Sequence, residues 1–376
     1  MPTNNYLIYP TVTSWDEPPR ARHQVAQELV KQGNVYFVEK NRTGRPRIEV
    51  RQVAPNLYVV TPYFWIDYRI RYRTPGLNEA YHHWLLRGIR MLGVSFDLVY
   101  CFDFTAPAIH RYFDNVIFYV VDDNVGFGNF NPFFVNNYHT RTERAVARRA
   151  QLCVVSSEYM GEKIRRYNPN THVVPLGAPL IEHKAQTARI NRQGLPVLGL
   201  VGYLDNNLDF ELIGELLQEF EIWFIGPASE ANQKRLSQYP NARLLGPKTG
   251  EDLYRTLGEV DACIAPYDVR LLNKGATPNK LWLYLAMGKP PIVTEMPNTR
   301  NWKFEDGLVY QCTNDRFAEQ CRKAIRDDSE ERALKRIDLA RNNSWEARIE
   351  QVHRLYRDCS LVNGRQLSGM ENSPAL

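Results

Sequence analysis

Two successive series of short apolar runs, alternating with amphipathic stretches, constrain this chain more than any other feature. In the first series NYLIYP, NVYFVE, FDLVYC (96–101), NVIFYVV (115–121), QLCVVS (151–156) and THVVPL (171–176) read as strands. PRARHQVAQELVKQG reads as a helix ended by Gly33, and residues 77–92 and 133–149 read as further helices. The second series places strands at 196–204, 221–226, 242–246, 261–267, 290–294 and 307–311, with helices at 207–219, 249–258, 278–287, 314–327 and 329–358. Apolar strands alternating with helices are the pattern of βαβ units and parallel sheets. Between the series, residues 181–195 are polar and lack strand character, as expected of a linker. At 376 residues, against about 150 per domain, two domains are expected. They are 1–180 and 196–345, followed by a terminal helix over 346–362 expected to pack back on the first domain. A frayed polar tail covers 363–376. Open α/β sheets bind ligands beyond the carboxyl ends of their strands. The working site is therefore expected in a cleft between the domains.

Composition excludes several classes. No apolar run reaches the ~18 residues that span a bilayer. The start, MPTNNYLIYP, lacks the charged, apolar and small-residue parts of a signal peptide, so a cytoplasmic protein is expected. The six cysteines show no CxxC spacing and no His partner, which implies reduced, mostly buried thiols and no bound metal. The net charge of +5 is uneven: residues 1–180 carry +6 and the remainder −1. An anionic partner is expected on the first half.

Three segments of the second half carry ligand chemistry. Gly199 to Leu204 ends a strand, and Asp205, Asn206 and Asn207 lead into a helix. Gly202, with Tyr203 beside it, either lets a ligand approach the backbone or is an ordinary glycine turn between strand and helix. Ile264 to Asp268 ends a buried strand, where Tyr267 and Asp268 are placed to meet a sugar or ribose hydroxyl, or simply to form a strand exit. The third segment runs from Thr277 to Val293. Pro278 suits a helix start, Asn279 follows, and Lys280 falls in the first turn. A lysine there opposes the helix dipole, a conflict that an anion bound at the same place would resolve.

Pro-x-Lys, an aromatic, then Tyr-Leu-Ala-x-Gly-Lys-Pro (278–290) resembles the donor-site signature of GT-B glycosyltransferases, especially the bacterial polysaccharide enzymes grouped with glycosyltransferase family 4. GLVGYLDNNLDFELIGELL resembles that family's opening of the donor domain, and EIWFIGP and RLLGPKTGEDLYRTLGEVDACIAPY its next elements. FYVVDDNVGF resembles a segment of teichuronic-acid-type transferases, and VVSSEYMGEKI and VVPLGA resemble the end of the acceptor domain. The likeness covers most of residues 6–345. It implies an α/β protein of GT-B architecture, two Rossmann-like domains with parallel sheets facing across a cleft. It also implies a nucleotide-sugar donor, with UDP as the default, and a glycan or polyprenyl-diphosphate-linked acceptor. Many relatives place a ribose-binding glutamate where Leu283 stands; here Asp268, Asn279 or a backbone carbonyl would take that contact.

An inverting transfer requires a base near the acceptor hydroxyl. Asp122 and Asp123 follow the strand NVIFYVV and are expected at its carboxyl end, as acceptor contact or base, or else as a helix N-cap with a flanking acid. Asp103, after FDLVYC, is the reserve candidate. Asp16, Arg20, Arg22 and His23 lie at the first strand-to-helix turn, with His23 either catalytic or a partly buried helix residue. Residues 58–96 interleave aromatics with Arg69, Arg71, Arg73, Arg87 and Arg90. That mixture suits an anionic membrane surface, nucleic acid, or a solvated helix with one core stripe.

The expectation is a metal-independent glycosyltransferase without cofactor, cytoplasmic or peripheral at the inner membrane face. Lys280 would stabilise the leaving diphosphate. A sugar-nucleotide 2-epimerase of the same fold is the alternative. A basic membrane- or nucleic-acid-binding module without enzymatic activity comes third, with nucleic acid a poor match.

Overall fold

The computed structural model describes residues 4–126, 132–181, 194–204, 207–272, 275–300 and 302–370. The first strand, β1 (Asn4–Tyr9), leads through a loop into α1 (Ala21–Leu29), β2 (Gly33–Val38), β3 (Arg42–Thr43), β4 (Arg47–Ala54) and β5 (Leu57–Phe64). Then come α2 (Tyr68–Arg71), α3 (Pro75–Arg90), β6 (Leu98–Cys101), β7 (Val116–Val120), α4 (Phe133–Arg149), β8 (Leu152–Val155), α5 (Glu158–Arg165) and β9 (Thr171–Val173). These strands form a nine-stranded sheet in the order β3-β5-β2-β1-β6-β7-β8-β9, with β4 on β5. Every pairing is parallel except β4 with β5. Because helices cover a parallel sheet, its central strands are apolar on both faces; β7 and β8 are buried at every position.

The second series begins with β10 (Val197–Val201), α6 (Phe210–Leu216), β11 (Glu221–Ile225), α7 (Glu230–Leu236), β12 (Ala242–Leu244) and α8 (Gly250–Gly258). It continues with β13 (Ala262–Ala265), α9 (Lys280–Ala286), β14 (Pro291–Thr294), β15 (Tyr310–Cys312), α10 (Phe317–Arg326), α11 (Glu330–Asn342) and α12 (Trp345–Met370). Its six-stranded, all-parallel sheet runs β12-β11-β10-β13-β14-β15. The chain divides into two compact units, one of Met1–Leu176 with Arg348–Leu376 and one of Gly177–Ala347. In each sheet the strand order reverses beside the first strand, at β1/β6 and at β10/β13. Such reversals are where α/β sheets open a crevice. Within the first unit, α12 buries Ile349 and Val352, and His353 Nε2 lies 2.8 Å from the Tyr100 hydroxyl.

Several elements differ from the sequence expectation. Gly33 does not end α1; it opens β2, where a Cβ would collide with the Asn4 carbonyl on the neighbouring strand. The segment from 58 begins as β5, a buried strand, and not as an interfacial or solvated stretch. It follows a hairpin turn at Pro55-Asn56, with Asn56 at φ 59°, a conformation asparagine tolerates. The single helix expected over 329–358 is two, parted at Asn343 and Ser344, where Ala178 N–H donates to the Asn343 carbonyl at 2.8 Å. Helix α12 continues past Asn363 to Met370. The linker at 182–193, Asp205 and Asn206, and residues 371–376 lie outside the described residues.

Candidate functional site

In the second unit, the end of β10 meets the start of α9. Gly202 has φ 114° and donates its N–H to the Ile225 carbonyl at 2.9 Å. A Cβ on Gly202 would stand 2.5 Å from Lys280 Cε and 2.9 Å from its Nζ, so the ammonium lies directly over the glycine backbone. The same Nζ is 5.4 Å from the centre of the Tyr267 ring. The Pro278 carbonyl accepts from Leu281 N–H at 2.9 Å, so Pro278 forms the entry turn and the regular helix begins at Lys280. Pro278 is buried, and Asn279 is exposed with its Oδ1 accepting from Thr277 Oγ1 at 3.0 Å.

The Tyr267 loop is pinned by two polar residues absent from the sequence expectation. Tyr267 N–H donates to Thr294 Oγ1 at 3.0 Å, and Asn314 Nδ2 donates to the Tyr267 carbonyl at 3.1 Å. Asp268 meets Arg270 in a bidentate pair of 2.8 and 2.6 Å, which holds its carboxyl below the usual range. Its best acceptor positions are thus already occupied. Tyr203 is exposed. Leu283 is partly buried against an apolar cluster that includes Val197, Trp223 and Tyr284, so its surroundings suit an apolar side chain.

In the first unit the β1/β6 reversal is closed by a buried polar network. Thr11, just past β1, has φ 41°, and Val12 N–H donates to the Pro10 carbonyl at 2.7 Å. A β-branched residue in that region is strained by about 1–3 kcal/mol. Two bonds hold it: Thr11 Oγ1 donates to Asp103 Oδ2, and Arg71 donates to the Thr11 carbonyl at 3.2 Å. Asp103 Oδ1 accepts from Thr105 N–H at 2.8 Å and Thr105 Oγ1 at 2.7 Å. His82 Nε2 is 3.7 Å from Asp103 Oδ2, and His82 Nδ1 is 2.9 Å from the Tyr9 hydroxyl. Burial pushes His82 down to about 3, more than Asp103 raises it, so the ring is neutral. Asp103 is buried and saturated with donors, so it is not placed to act as a base.

Arg71 is wholly buried, which corrects its assignment to an exposed acceptor or membrane surface. It donates to Asn41 Oδ1, Asn78 Oδ1 and the Thr11 carbonyl, and lies 3.7 Å from the centre of the Tyr81 ring. Arg69 and Arg73 are exposed; Arg69 lies 3.7 Å from Asp67. His23 is also committed to the fold. Its Nδ1 accepts from Arg20 N–H at 3.0 Å, and its Nε2 lies 3.0 Å from the Ser14 carbonyl. Burial lowers its pKa. Asp16 and Arg20 are exposed, Asp16 pairing with Arg51 at 3.1 Å and Arg20 with Glu17 at 3.7 Å.

Asp122 and Asp123 part company after β7. Asp123 is buried and accepts from Lys163 Nζ at 2.8 Å and Gly126 N–H at 2.9 Å; Lys163 also meets Glu143 at 2.7 Å. Burial pulls Lys163 down, but Glu143 and Asp123 together outweigh it and leave the ammonium above its ordinary value. Asp123 therefore belongs to an internal ion cluster. Asp122 is on the open side. Desolvation raises its carboxyl, with Arg22 and Arg20 opposing the rise. Desolvation likewise brings Arg22 down to about 10. Asp122 is thus an exposed carboxylate at the carboxyl end of β7, within the electrostatic reach of Arg22 and Arg20. Among the described residues, no cluster of His, Cys, Asp or Glu is arranged to hold a metal ion.

No protein-family model matches the chain. The "Putative teichuronic acid biosynthesis glycosyltransferase TuaH" of Bacillus subtilis (strain 168) is 25% identical over 234 residues, covering 56% of this chain and 57% of that protein. The chain thus matches little more than half the length of that relative. Sucrose-phosphate synthase from Thermosynechococcus elongatus superposes with a TM-score of 0.70 over 96% of this chain and 100% of its own, at 14% identity. "Trehalose-6-phosphate from E. coli bound with UDP-2-fluoro glucose" gives 0.67 over 94% and 99%, at 11% identity. WaaG, a glycosyltransferase involved in lipopolysaccharide biosynthesis, gives 0.62 over 93% and 98%, at 12% identity.

The fold is GT-B. Each of its two sheets has the parallel order of a Rossmann-like domain. In this GT-B chain the two strand-order reversals carry the polar groups just described.

Proposed function

We propose that this protein is a glycosyltransferase that moves a sugar from a nucleotide-sugar, with UDP the proposed nucleotide, to a glycan or lipid-linked acceptor in bacterial surface polysaccharide synthesis. The observation that carries the reading is the Lys280 ammonium lying over Gly202, beside the Tyr267 ring. A fixed cation above an open backbone suits a diphosphate, whose charge grows as the sugar leaves. Stabilising charge that develops in the transition state is a large source of rate enhancement. Lys280 would supply that charge without a metal ion or cofactor. The likeness to a teichuronic acid glycosyltransferase supports the polysaccharide context. The UDP-2-fluoro glucose bound in one structural neighbour supports UDP. Asp122 is the candidate acceptor contact or base on the first unit.

The acceptor is proposed to be lipid-linked, with the first unit resting on an anionic membrane surface from the cytoplasmic side. Supporting this, Trp65 and Ile70, near the exposed Arg69 and Arg73 in the chain, and Phe133 and Phe134 at the start of α4 are all more than half exposed. Among the described residues no helix is long and apolar enough to cross a membrane. A thermal-shift series with UDP-, GDP- and dTDP-sugars, on wild type and Lys280→Ala, tests the donor reading. Stabilisation of the wild type alone is expected; no shift with any donor would refute it. Flotation with phosphatidylglycerol vesicles at low salt tests the surface, and Phe134→Ser should weaken binding.

A further inference from the structure

At the β10/β13 reversal the two strands separate. Their pairing covers Leu198 with Ala262 and Gly199 with Cys263, then ends. On its other edge β10 stays paired with β11 as far as Val201. Beyond Gly199, backbone groups on the facing edges of β10 and β13 must find other partners, because buried peptide groups are rarely left unpaired. One phenol serves both edges. Val201 N–H donates to the Tyr284 hydroxyl at 3.1 Å, and that hydroxyl donates to the Ile264 carbonyl at 3.0 Å. Tyr284 is fully buried.

Tyr284 lies four residues after Lys280 on α9, so both side chains share one helix face. That face looks onto the end of β10. Tyr284 grips Val201, and Lys280 covers Gly202, the next residue. The hydroxyl thereby fixes the height of α9 above the strand end, and with it the place of the ammonium.

We infer that Tyr284 is a positioning residue for a nucleoside diphosphate: its hydroxyl bridges the parted ends of β10 and β13 and sets Lys280 over Gly202. The inference rests on the donor-site reading above. It adds a residue that touches no ligand and acts through the strand end and helix it joins.

The test is isothermal titration of UDP, GDP and dTDP into wild type, Tyr284→Phe and Leu216→Ala, with thermal midpoints measured in parallel. Leu216 is buried on α6 and serves as the stability control. Wild type should bind at least one nucleotide. Tyr284→Phe should bind that nucleotide at least about tenfold more weakly, and Leu216→Ala should keep wild-type affinity despite a lowered midpoint. Wild-type affinity in Tyr284→Phe would overturn the inference while leaving the donor reading intact. An equal loss in Leu216→Ala would reduce the effect to stability and overturn it too. No nucleotide binding by wild type would remove both. A measurement on wild type alone covers a Tyr284→Phe protein that does not fold. The bound nucleotide should slow hydrogen exchange in peptides 197–203 and 280–286 together, and protection of neither would overturn the inference.

Discussion

Replacing Arg71 with methionine should strongly destabilise the first unit, whereas the same change at Arg69, two residues away, should not. Arg71 is wholly buried and donates to Asn41, Asn78 and the Thr11 carbonyl. A hydrogen bond from a charged group contributes about 1.5–3 kcal/mol. Three such bonds do not add in full, because the amide side chains can turn to other partners and methionine keeps part of the packing on Tyr81. Against this, Thr11 would lose one of the two bonds that hold its strained backbone. The expected loss is about 3–5 kcal/mol, the range seen when a buried charged network loses a member. Arg69 is exposed, with a 3.7 Å contact to Asp67, and its replacement should cost at most about 0.5 kcal/mol. Urea unfolding followed by hydrogen exchange in peptides from β5 and α3 would isolate the first unit. A 3 kcal/mol loss corresponds to roughly a hundredfold faster exchange through unfolding. An Arg71→Met protein within about 1 kcal/mol of wild type, or equal losses at the two sites, would refute the reasoning.

Acid should weaken the first unit selectively. His23, His82, His110, His139, His172 and His353 are all lowered there, in each case chiefly by burial. A lowered folded pKa means that the unfolded chain takes the proton first, so stability falls as pH drops below about 6.5 and continues to fall toward the folded values near 3 to 4. Hydrogen exchange at pH 7 and pH 5 checks this, and equal loss in both units would count against it. Lys163→Met should destabilise by about 3 kcal/mol at pH 7, because it leaves Asp123 and Glu143 buried without their shared cation. Desolvation already raises Glu143; with the lysine gone it should take a proton more readily, so the deficit against wild type should shrink at pH 5. Gly202→Ala should lower nucleotide affinity at least tenfold by displacing Lys280 and straining φ 114°, read by titration with UDP, while the α6 core stays folded.

The second unit was the more legible half because its central strands β10, β13 and β14 are buried almost throughout and its turns fall at glycines. All six strands lie where the apolar runs placed them, although the last is shifted to Tyr310–Cys312. Lys280 and Gly202 were legible as candidates, since a lysine at a helix start and a glycine at a strand exit are each locally odd, and the structure brings the two together. Tyr284 was visible only as part of a motif. Its task depends on where two strands part, and that is fixed by the β10/β13 register rather than by neighbouring residues. The hairpin of β4 and β5 is masked in the sequence by the tyrosines and arginines that crowd residues 58–73. The Pro55-Asn56 turn was the available signal.

Arg71 and Asp103 show why polar residues at strand exits are ambiguous in a sequence. Where the strand order reverses, adjacent strands diverge and leave backbone donors and acceptors that the ladder no longer pairs. In the first unit Asp103 takes the Thr105 N–H, and Arg71 takes the Thr11 carbonyl. In the second, the Tyr284 hydroxyl takes Val201 and Ile264. A carboxylate beside a reversal thus has a structural demand on it before any substrate arrives, and one buried and saturated with donors has met that demand. Asp122 lies after β7, away from the reversal. It is exposed, and desolvation raises its carboxyl against the opposing charges of Arg22 and Arg20. Exposure, and not the residue type at the strand end, separates Asp122 from Asp103, and also from Asp123, which follows the same strand but is bound into the Lys163 cluster.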